Sequence, residues 1–193
     1  MKPWLLFSLS DLMERDDDTF SLEECLSNFS CIQGGDDVKN YLVKNAIVDE
    51  KRWVSKTYLF ISDDLQKNIL GYFTVSLKYI MVSDGLQLSK NSIKRLNPDS
   101  NSIAQCRLIG QLGRSRHAEK GFGTHILRYA IGMMRQFAKK EGCRTLRIDC
   151  ANNKKLMEYY VKHGFRPISK NKDNDLIQMI TMLDRGIDQI MGN

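Results

Sequence analysis

EKGFGTHIL, Glu119 to Leu127, is the stretch on which the reading of this chain turns. Two glycines flank one phenylalanine, and an apolar pattern of helical period starts at once. Ile126, Leu127, Ala130, Ile131, Met134, Phe137 and Ala138 keep that period up to Gly142, a C-cap candidate. Just upstream, Arg107 to Leu112 (RLIGQL) has the composition of a strand broken by Gly110, where a bulge or a close backbone approach is expected. A strand, a short basic loop with glycines and a helix start make an anion cradle. Backbone N–H groups at a helix N-terminus have no intrahelical partner, and the macrodipole favours negative charge there. Gly121 and Gly123 let a phosphate approach the backbone where a side chain would obstruct it. Arg114, Arg116, His117 and Lys120 add positive charge, so phosphate is the expected guest.

The stretch is not a P-loop, because no Gly-Lys-Ser/Thr follows. It is not the Rossmann fingerprint either, because Thr124, His125 and Ile126 follow where a third glycine is required. Taken alone, a Gly-x-Gly at a helix start is equally a simple turn.

Outward from this point the period of the chain changes several times. Ser21 to Trp53 is mostly helical, with capping-box spacing at Ser21 and Glu24 and an apolar stripe at Val38, Leu42 and Ala46. Thr57 to Ile61 and Ile69 to Met81 read as an antiparallel hairpin, with a polar turn between them. Asp84 to Ser102 reads as a connecting loop or short helix. Thr145 to Cys150 is a strand, Asn153 to His163 a helix ended by Gly164, and Phe165 to Ile168 and Asp175 to Met182 the last two strands. The acidic run Glu14 to Asp18 reads as a solvated loop or helix start. The order is helices, hairpin, strand, helix, strand, helix, two strands, which predicts a mixed α/β sheet with helices against it.

The chain has 193 residues, 42% of them hydrophobic, and a formal charge of +6. These values fit one globular domain over 1–193 with a sizeable core. The charge suits an anionic ligand, a phosphorylated cofactor or RNA. Cys25, Cys31, Cys106, Cys143 and Cys150 are odd in number, and no two stand at CxxC spacing. Neither a zinc site nor a disulfide framework is expected, and no metal. Reduced thiols point to the cytoplasm. The N-terminal MKPWLLFSLSD lacks a sustained apolar region, so no signal peptide is expected, and no run reaches membrane-spanning length.

A second constellation gives the glycines a context. In ANNKKLMEYYVKHGF, Ala151 to Phe165, the residues Asn153, Leu156, Tyr160, Gly164 and Phe165 stand at fixed offsets after a strand. Here the chain resembles the GCN5-related N-acetyltransferases (the GNAT family). Their fourth strand ends in a (Gln/Arg)-x-x-Gly-x-(Gly/Ala) loop, and a later helix reads Asn-x-x-x-x-x-x-Tyr-x-x-x-Gly-Phe. Both motifs occur here in the family's order, and the detailed match runs from about Leu108 to Phe165. The resemblance implies a mixed, mostly antiparallel sheet with splayed central strands, flanked by helices, and acetyl-CoA as cofactor. It places Leu112, Gly113 and Arg114 where backbone groups meet the acetyl and pantetheine part. It places Lys120, Gly121, Phe122, Gly123 and Thr124 where backbone amides hold pyrophosphate. Asn153 matches a polar contact to the cofactor, and Tyr160 matches the tyrosine that protonates the departing thiolate. Ala118 departs from the pattern, standing where Gln or Arg is usual, so that side chain's polar contacts are absent.

The acceptor implied by the resemblance is a primary amine, on a small molecule or a protein. FSCI at Phe29 to Ile32, TYLF at Thr57 to Phe60, GYFTV at Gly71 to Val75 and LIGQLGR at Leu108 to Arg114 are similar to a branch of the family that contains toxins acetylating aminoacyl-tRNA, with Gln111 standing where that branch has an arginine. That branch implies tRNA as acceptor and an antitoxin partner, and a homodimer is compatible with it. A non-catalytic acetyl-CoA-binding module is the third reading. Glu119 and Asp149 are the nearest acids that could act as a base. Beside these readings stand plainer ones. Tyr160 is also a core tyrosine candidate, the three histidines are structural or surface residues, Cys150 is a buried strand residue, and Arg144, Arg147, Lys154, Lys155 and Lys162 are a solvated face.

Overall fold

The computed structural model describes residues 3–15, 21–32, 35–83, 85–170 and 175–184. The element order is β1 (Trp4–Ser8), α1 (Leu9–Met13), α2 (Leu22–Ser27), α3 (Asp36–Lys44), α4 (Ala46–Lys51), β2 (Lys56–Ser62), β3 (Ile69–Met81), α5 (Lys90–Leu96), β4 (Ile103–Arg114), α6 (Phe122–Glu141), β5 (Thr145–Cys150), α7 (Lys154–Lys162), β6 (Arg166–Lys170) and β7 (Ile177–Met182). The strand order is β1-β2-β3-β4-β5-β7-β6. The β1–β2, β2–β3, β5–β7 and β6–β7 ladders are antiparallel, and β4–β5 is parallel. This is the mixed, mostly antiparallel sheet that was expected. Among the described residues no helix is long and apolar enough to cross a membrane.

The chain divides into two compact units. Unit 1 is Met1–Ser76 with Gly110–Leu127, and unit 2 is Leu77–Ile109 with Arg128–Asn193. In unit 1 the β2 segment Leu59–Ser62 is buried on both faces. Leu59 and Ile61 join Leu9, Leu12, Leu26, Leu42, Ala46 and Tyr72 in one core cluster. Phe60 stacks edge-on with Trp4 at 5.0 Å and with Phe122 at 5.7 Å. A strand covered on both faces reads as a continuous apolar run rather than an alternation. Ser21 caps α2 by accepting from the Glu24 amide at 3.3 Å, as its spacing predicts.

The apolar run at the N-terminus, for which the sequence predicts no element, forms β1, pairing antiparallel from Trp4↔Ser62 to Ser8↔Tyr58. It shows no period-2 alternation, because only Leu5 is exposed. The β4 strand is also longer than RLIGQL, running from Ile103 to Arg114, and β6 and β7 begin at Arg166 and Ile177. Glu14 is the C-cap of α1, while Asp16, Asp17 and Asp18 lie outside the described residues.

Gly71 on β3 is held by close packing. A Cβ there would collide with Ile126 Cδ1 and lie 2.7 Å from the Gly113 carbonyl oxygen. A side-chain tip can turn aside, but a backbone carbonyl in a ladder cannot. Gly71→Ala is therefore expected to destabilise the protein by about 1–3 kcal/mol, the usual cost of overpacking. Urea denaturation would show this as a lower midpoint, and an unchanged midpoint would mean that the β3–β4 contact yields freely.

In unit 2 the β4–β5 ladder has three pairs, from Arg107↔Leu146 to Ile109↔Ile148, which is the short ladder that splayed central strands imply. Ile80, Leu96, Ala104, Cys106, Ile168, Ile180 and Met182 form its core. Arg107 is buried beside α6, donating to Glu141 at 2.9 Å and lying over the Phe137 ring. Gly142 (φ +82°) ends α6 and Gly164 (φ +80°) follows the end of α7, both in the left-handed region that favours glycine.

Candidate functional site

The end of β4 and the start of α6 lie in unit 1. Gly113 is buried, and a Cβ on it would stand 2.7 Å from both Tyr72 Cε1 and Val38 Cγ1. Leu112 is half-buried. Near Gly110 the ladder is irregular, since the Gln111 amide donates to the buried Thr74 hydroxyl at 2.9 Å. The carbonyl of Arg114 is taken by the Ile32 amide (3.3 Å) and the Cys31 thiol (3.5 Å).

The Arg114 side chain has a role that the sequence did not reveal. Its Nη1 donates to the carbonyls of Ala118 (3.3 Å) and Glu119 (3.1 Å). In a trans peptide the N–H points opposite to the carbonyl. The guanidinium therefore turns the Lys120 amide away from itself. Ala118 is buried under this brace, with its own amide donating to the Ser115 carbonyl.

The five residues Lys120 to Thr124 do not contribute alike. The Phe122 amide donates to the Glu119 carbonyl (3.1 Å) and the Thr124 amide to the Gly121 carbonyl (2.9 Å). Phe122 is a core anchor, 3% exposed and stacked on His125. Among the described residues, the amides of Lys120, Gly121 and Gly123 donate to no backbone carbonyl. Gly121 has φ +94°, and a Cβ there would meet nothing within 4 Å; a Cβ on Gly123 would meet only Arg114 Cδ, at 3.9 Å. Three amides without a backbone partner thus stand at the positive end of a 20-residue helix, with free space beside the two glycines. That donor set fits a pyrophosphate.

Two basic side chains expected beside the phosphate have other settings. His117 lines a polar cavity of about 230 Å³ with Glu24, Cys25, Asn28 and Lys67. Arg116 is exposed, and its amide donates to the Ser30 carbonyl.

The second constellation lies in unit 2. Asn153 is the N-cap of α7, its Oδ1 accepting from the Leu156 amide at 3.2 Å. Tyr160 is half-buried, edge-on to Phe165 at 5.9 Å and to Tyr159 at 5.2 Å. Burial pushes its phenol well above the ordinary tyrosine range, with smaller contributions from Tyr159 and Cys150. Cys150 is buried and donates to the Ala151 carbonyl, and burial pushes its thiol up to about 11, so it is no ready nucleophile. Asp149 is spent. Arg147, expected on a solvated face, is instead buried, because it grips both Asp149 oxygens at 2.7 and 2.8 Å and also reaches the Tyr79 carbonyl. His163 Nδ1 donates to the Tyr159 carbonyl, and His125 packs edge-on to Trp4 in unit 1. Among the described residues no group of three His, Cys, Asp or Glu side chains could hold a metal ion.

No family model and no curated protein matches the chain. Solved structures do. A tyrosine-to-phenylalanine mutant of KacT matches with a TM-score of 0.72 and 18% identity, over 98% of this chain and 99% of that one. AtaT complexed with acetyl-methionyl-tRNAfMet matches at 0.70 and 16%, over 94% and 96%. A mutant AtaT toxin bound to the C-terminus of the antitoxin AtaR and acetyl-CoA matches at 0.68 and 15%, over 98% and 99%. The likeness runs over nearly the full length of each chain and, with the mixed, mostly antiparallel sheet, shows that the chain has the fold of the GCN5-related N-acetyltransferases.

Proposed function

We propose that residues 1–193 form one acetyl-CoA-dependent N-acetyltransferase domain acting in the cytoplasm. The observation that carries this reading is the set of open amides at Lys120, Gly121 and Gly123, with no Cβ above the two glycines. Acetyl-CoA, when bound, supplies an acetyl group already activated as a thioester. The three amides hold its pyrophosphate, and the end of β4 (Leu112, Gly113, Arg114) lines the acetyl and pantetheine part. Asn153 orders the start of α7, and through it the placement of Tyr160. Tyr160 would keep its proton at working pH and could give it from Oη to the sulfur of the cofactor as the thioester C–S bond breaks; the acceptor nitrogen would form the new bond to the acetyl carbon and release its own proton to solvent water.

The acceptor amine must be neutral to attack. A lysine-like amine has a pKa of about 10.4 and needs a base, whereas an α-amino group at about 7.7–8.0 is already partly neutral near pH 7. With Asp149 locked to Arg147, one of the two nearest acids is removed as a base, which supports the weaker base as acceptor. The α-amine of an aminoacyl-tRNA is such a group. It is also the product-side chemistry named for AtaT, whose likeness to this chain runs over nearly the full length of both. An antitoxin, as named for AtaT, belongs to the same reading.

Calorimetric titration with acetyl-CoA, against ATP and NAD as controls, tests the cofactor. Labelled acetyl transfer to charged tRNA, and in parallel to a lysine peptide, tests the acceptor. Selective acetyl-CoA binding with transfer to charged tRNA is expected. Binding without transfer to any amine would leave a non-catalytic module, and no binding by a folded sample would defeat the reading altogether.

A further inference from the structure

The charge of the chain is unevenly divided. Unit 1 carries 11 Lys and Arg against 14 Asp and Glu, a net −3; unit 2 carries 18 against 9, a net +9. The whole excess of +6 therefore resides in unit 2, and unit 1 is mildly acidic. Helix starts follow the same division except at α6, which begins in unit 1 with no acid in its first turn. The helices α1 to α4 of unit 1 each place an acid in the first turn, where it complements the macrodipole. In unit 2, α5 and α7 place none there, and α7 opens on Lys154-Lys155.

Lys154 and Lys155 gain nothing from that position, because cations at a helix N-terminus are disfavoured. With Lys162 they are exposed, and Glu158 is the only acid on the helix. Lys139 and Lys140, in the last turn of α6, do complement their own helix end, so local structure already accounts for them. The lysines of α7 thus mark where a polyanion contributes what the fold does not.

We infer that unit 2, led by Lys154, Lys155 and Lys162 of α7, is the docking surface for the phosphodiester backbone of an RNA acceptor, while acidic unit 1 takes no part in holding that backbone. The inference rests on the acetyltransferase reading only for the identity of the RNA. Phosphate contacts of this kind release counterions and weaken with salt, by a slope of about 0.7–0.9 in log K per phosphate contacted. They position the RNA without reading its sequence. Docking on α7 also sets the RNA against the helix that carries Tyr160.

The test uses labelled, uncharged tRNA and fluorescence anisotropy from about 50 to about 300 mM salt. Two triple variants of the full chain are compared: Lys154→Glu, Lys155→Glu, Lys162→Glu in unit 2, and Lys44→Glu, Lys51→Glu, Arg52→Glu in unit 1, all exposed positions. The unit 2 variant is expected to bind tRNA at least about tenfold more weakly, with a salt slope shallower by about two. The unit 1 variant is expected to stay within about threefold of wild type. Circular dichroism and acetyl-CoA titration confirm that each variant is folded. Equal losses in the two variants, no loss in the unit 2 variant, or salt-independent binding would overturn the inference. Wild type that binds acetyl-CoA but no tRNA at any salt would also overturn it and point to an acidic protein as partner. Wild type that binds tRNA through unit 2 but not acetyl-CoA would uphold the docking surface and defeat the transferase reading instead.

Discussion

Tyr160→Phe is expected to lower the kcat of acetyl transfer by about 10²–10⁴-fold, the range for loss of a positioned general acid. Acetyl-CoA affinity is expected to stay within about threefold, since the change removes one oxygen and the open amides of the α6 turn are untouched. The ring contacts with Phe165 and Tyr159 survive the substitution. A core tyrosine without a chemical role would tolerate phenylalanine with turnover unchanged, and that outcome would falsify the assignment. The pH dependence gives a second check. An ordinary tyrosine loses its proton near 10, and a reaction that needs the phenol would then fall on the alkaline side. Burial raises the Tyr160 phenol, so its acidic form persists through that region. The rate is expected to rise through the pKa of the acceptor amine and to show no downturn near pH 10. A break there in the wild-type profile would place the acid elsewhere.

The parts of this site legible in the sequence are those whose physics is local. Gly121 and Gly123 announce a turn that only small residues allow, and the helical stripe behind them fixes where α6 begins. The N-cap role of Asn153 follows the same kind of rule, a polar side chain directly before the first helical residue. The ion pair that removes Asp149 as a base was also within reach. Residues two apart on a strand share a face, so Arg147 and Asp149 were bound to meet once Thr145–Cys150 was read as a strand. What could not be read depends on contacts far apart in the chain. The Thr74 hydroxyl meets the Gln111 amide across 37 positions, and Arg114 folds back on its own loop only after β4 has been placed. The division of charge was legible in part. Residues 1–76 alone carry 8 Lys and Arg against 13 Asp and Glu, and residues 128–193 carry 13 against 7, but that each unit is completed by a second, separated segment appears only in the fold. β1 escaped because the strand lacks the alternation by which half-buried strands are recognised.

Gly123→Ala separates folding from binding more sharply than any other change in this chain, because the two are expected to move in opposite directions. Gly123 lies in the first turn of α6, and its φ is not in the left-handed region. Alanine is the better helix former by roughly 0.5–1 kcal/mol, and the added Cβ meets only Arg114 Cδ at 3.9 Å. Stability should therefore hold or rise. The same methyl group stands above an amide that the proposed site uses to hold pyrophosphate. Acetyl-CoA affinity is expected to fall about tenfold for Gly123→Ala and more than about 100-fold for Gly123→Val, whose branches fill the space further. Gly121→Ala is the contrasting case. It also meets open space, but at φ +94° a residue with a Cβ is strained by about 1–2 kcal/mol, so folding as well as binding should suffer. Urea denaturation and calorimetry on the three variants read both quantities. If Gly123→Ala gains stability and binds acetyl-CoA as wild type does, the two glycines form a turn and nothing more. A gain in stability with a loss of affinity has no explanation in the apo fold, and it would locate the phosphates of the cofactor above Gly123.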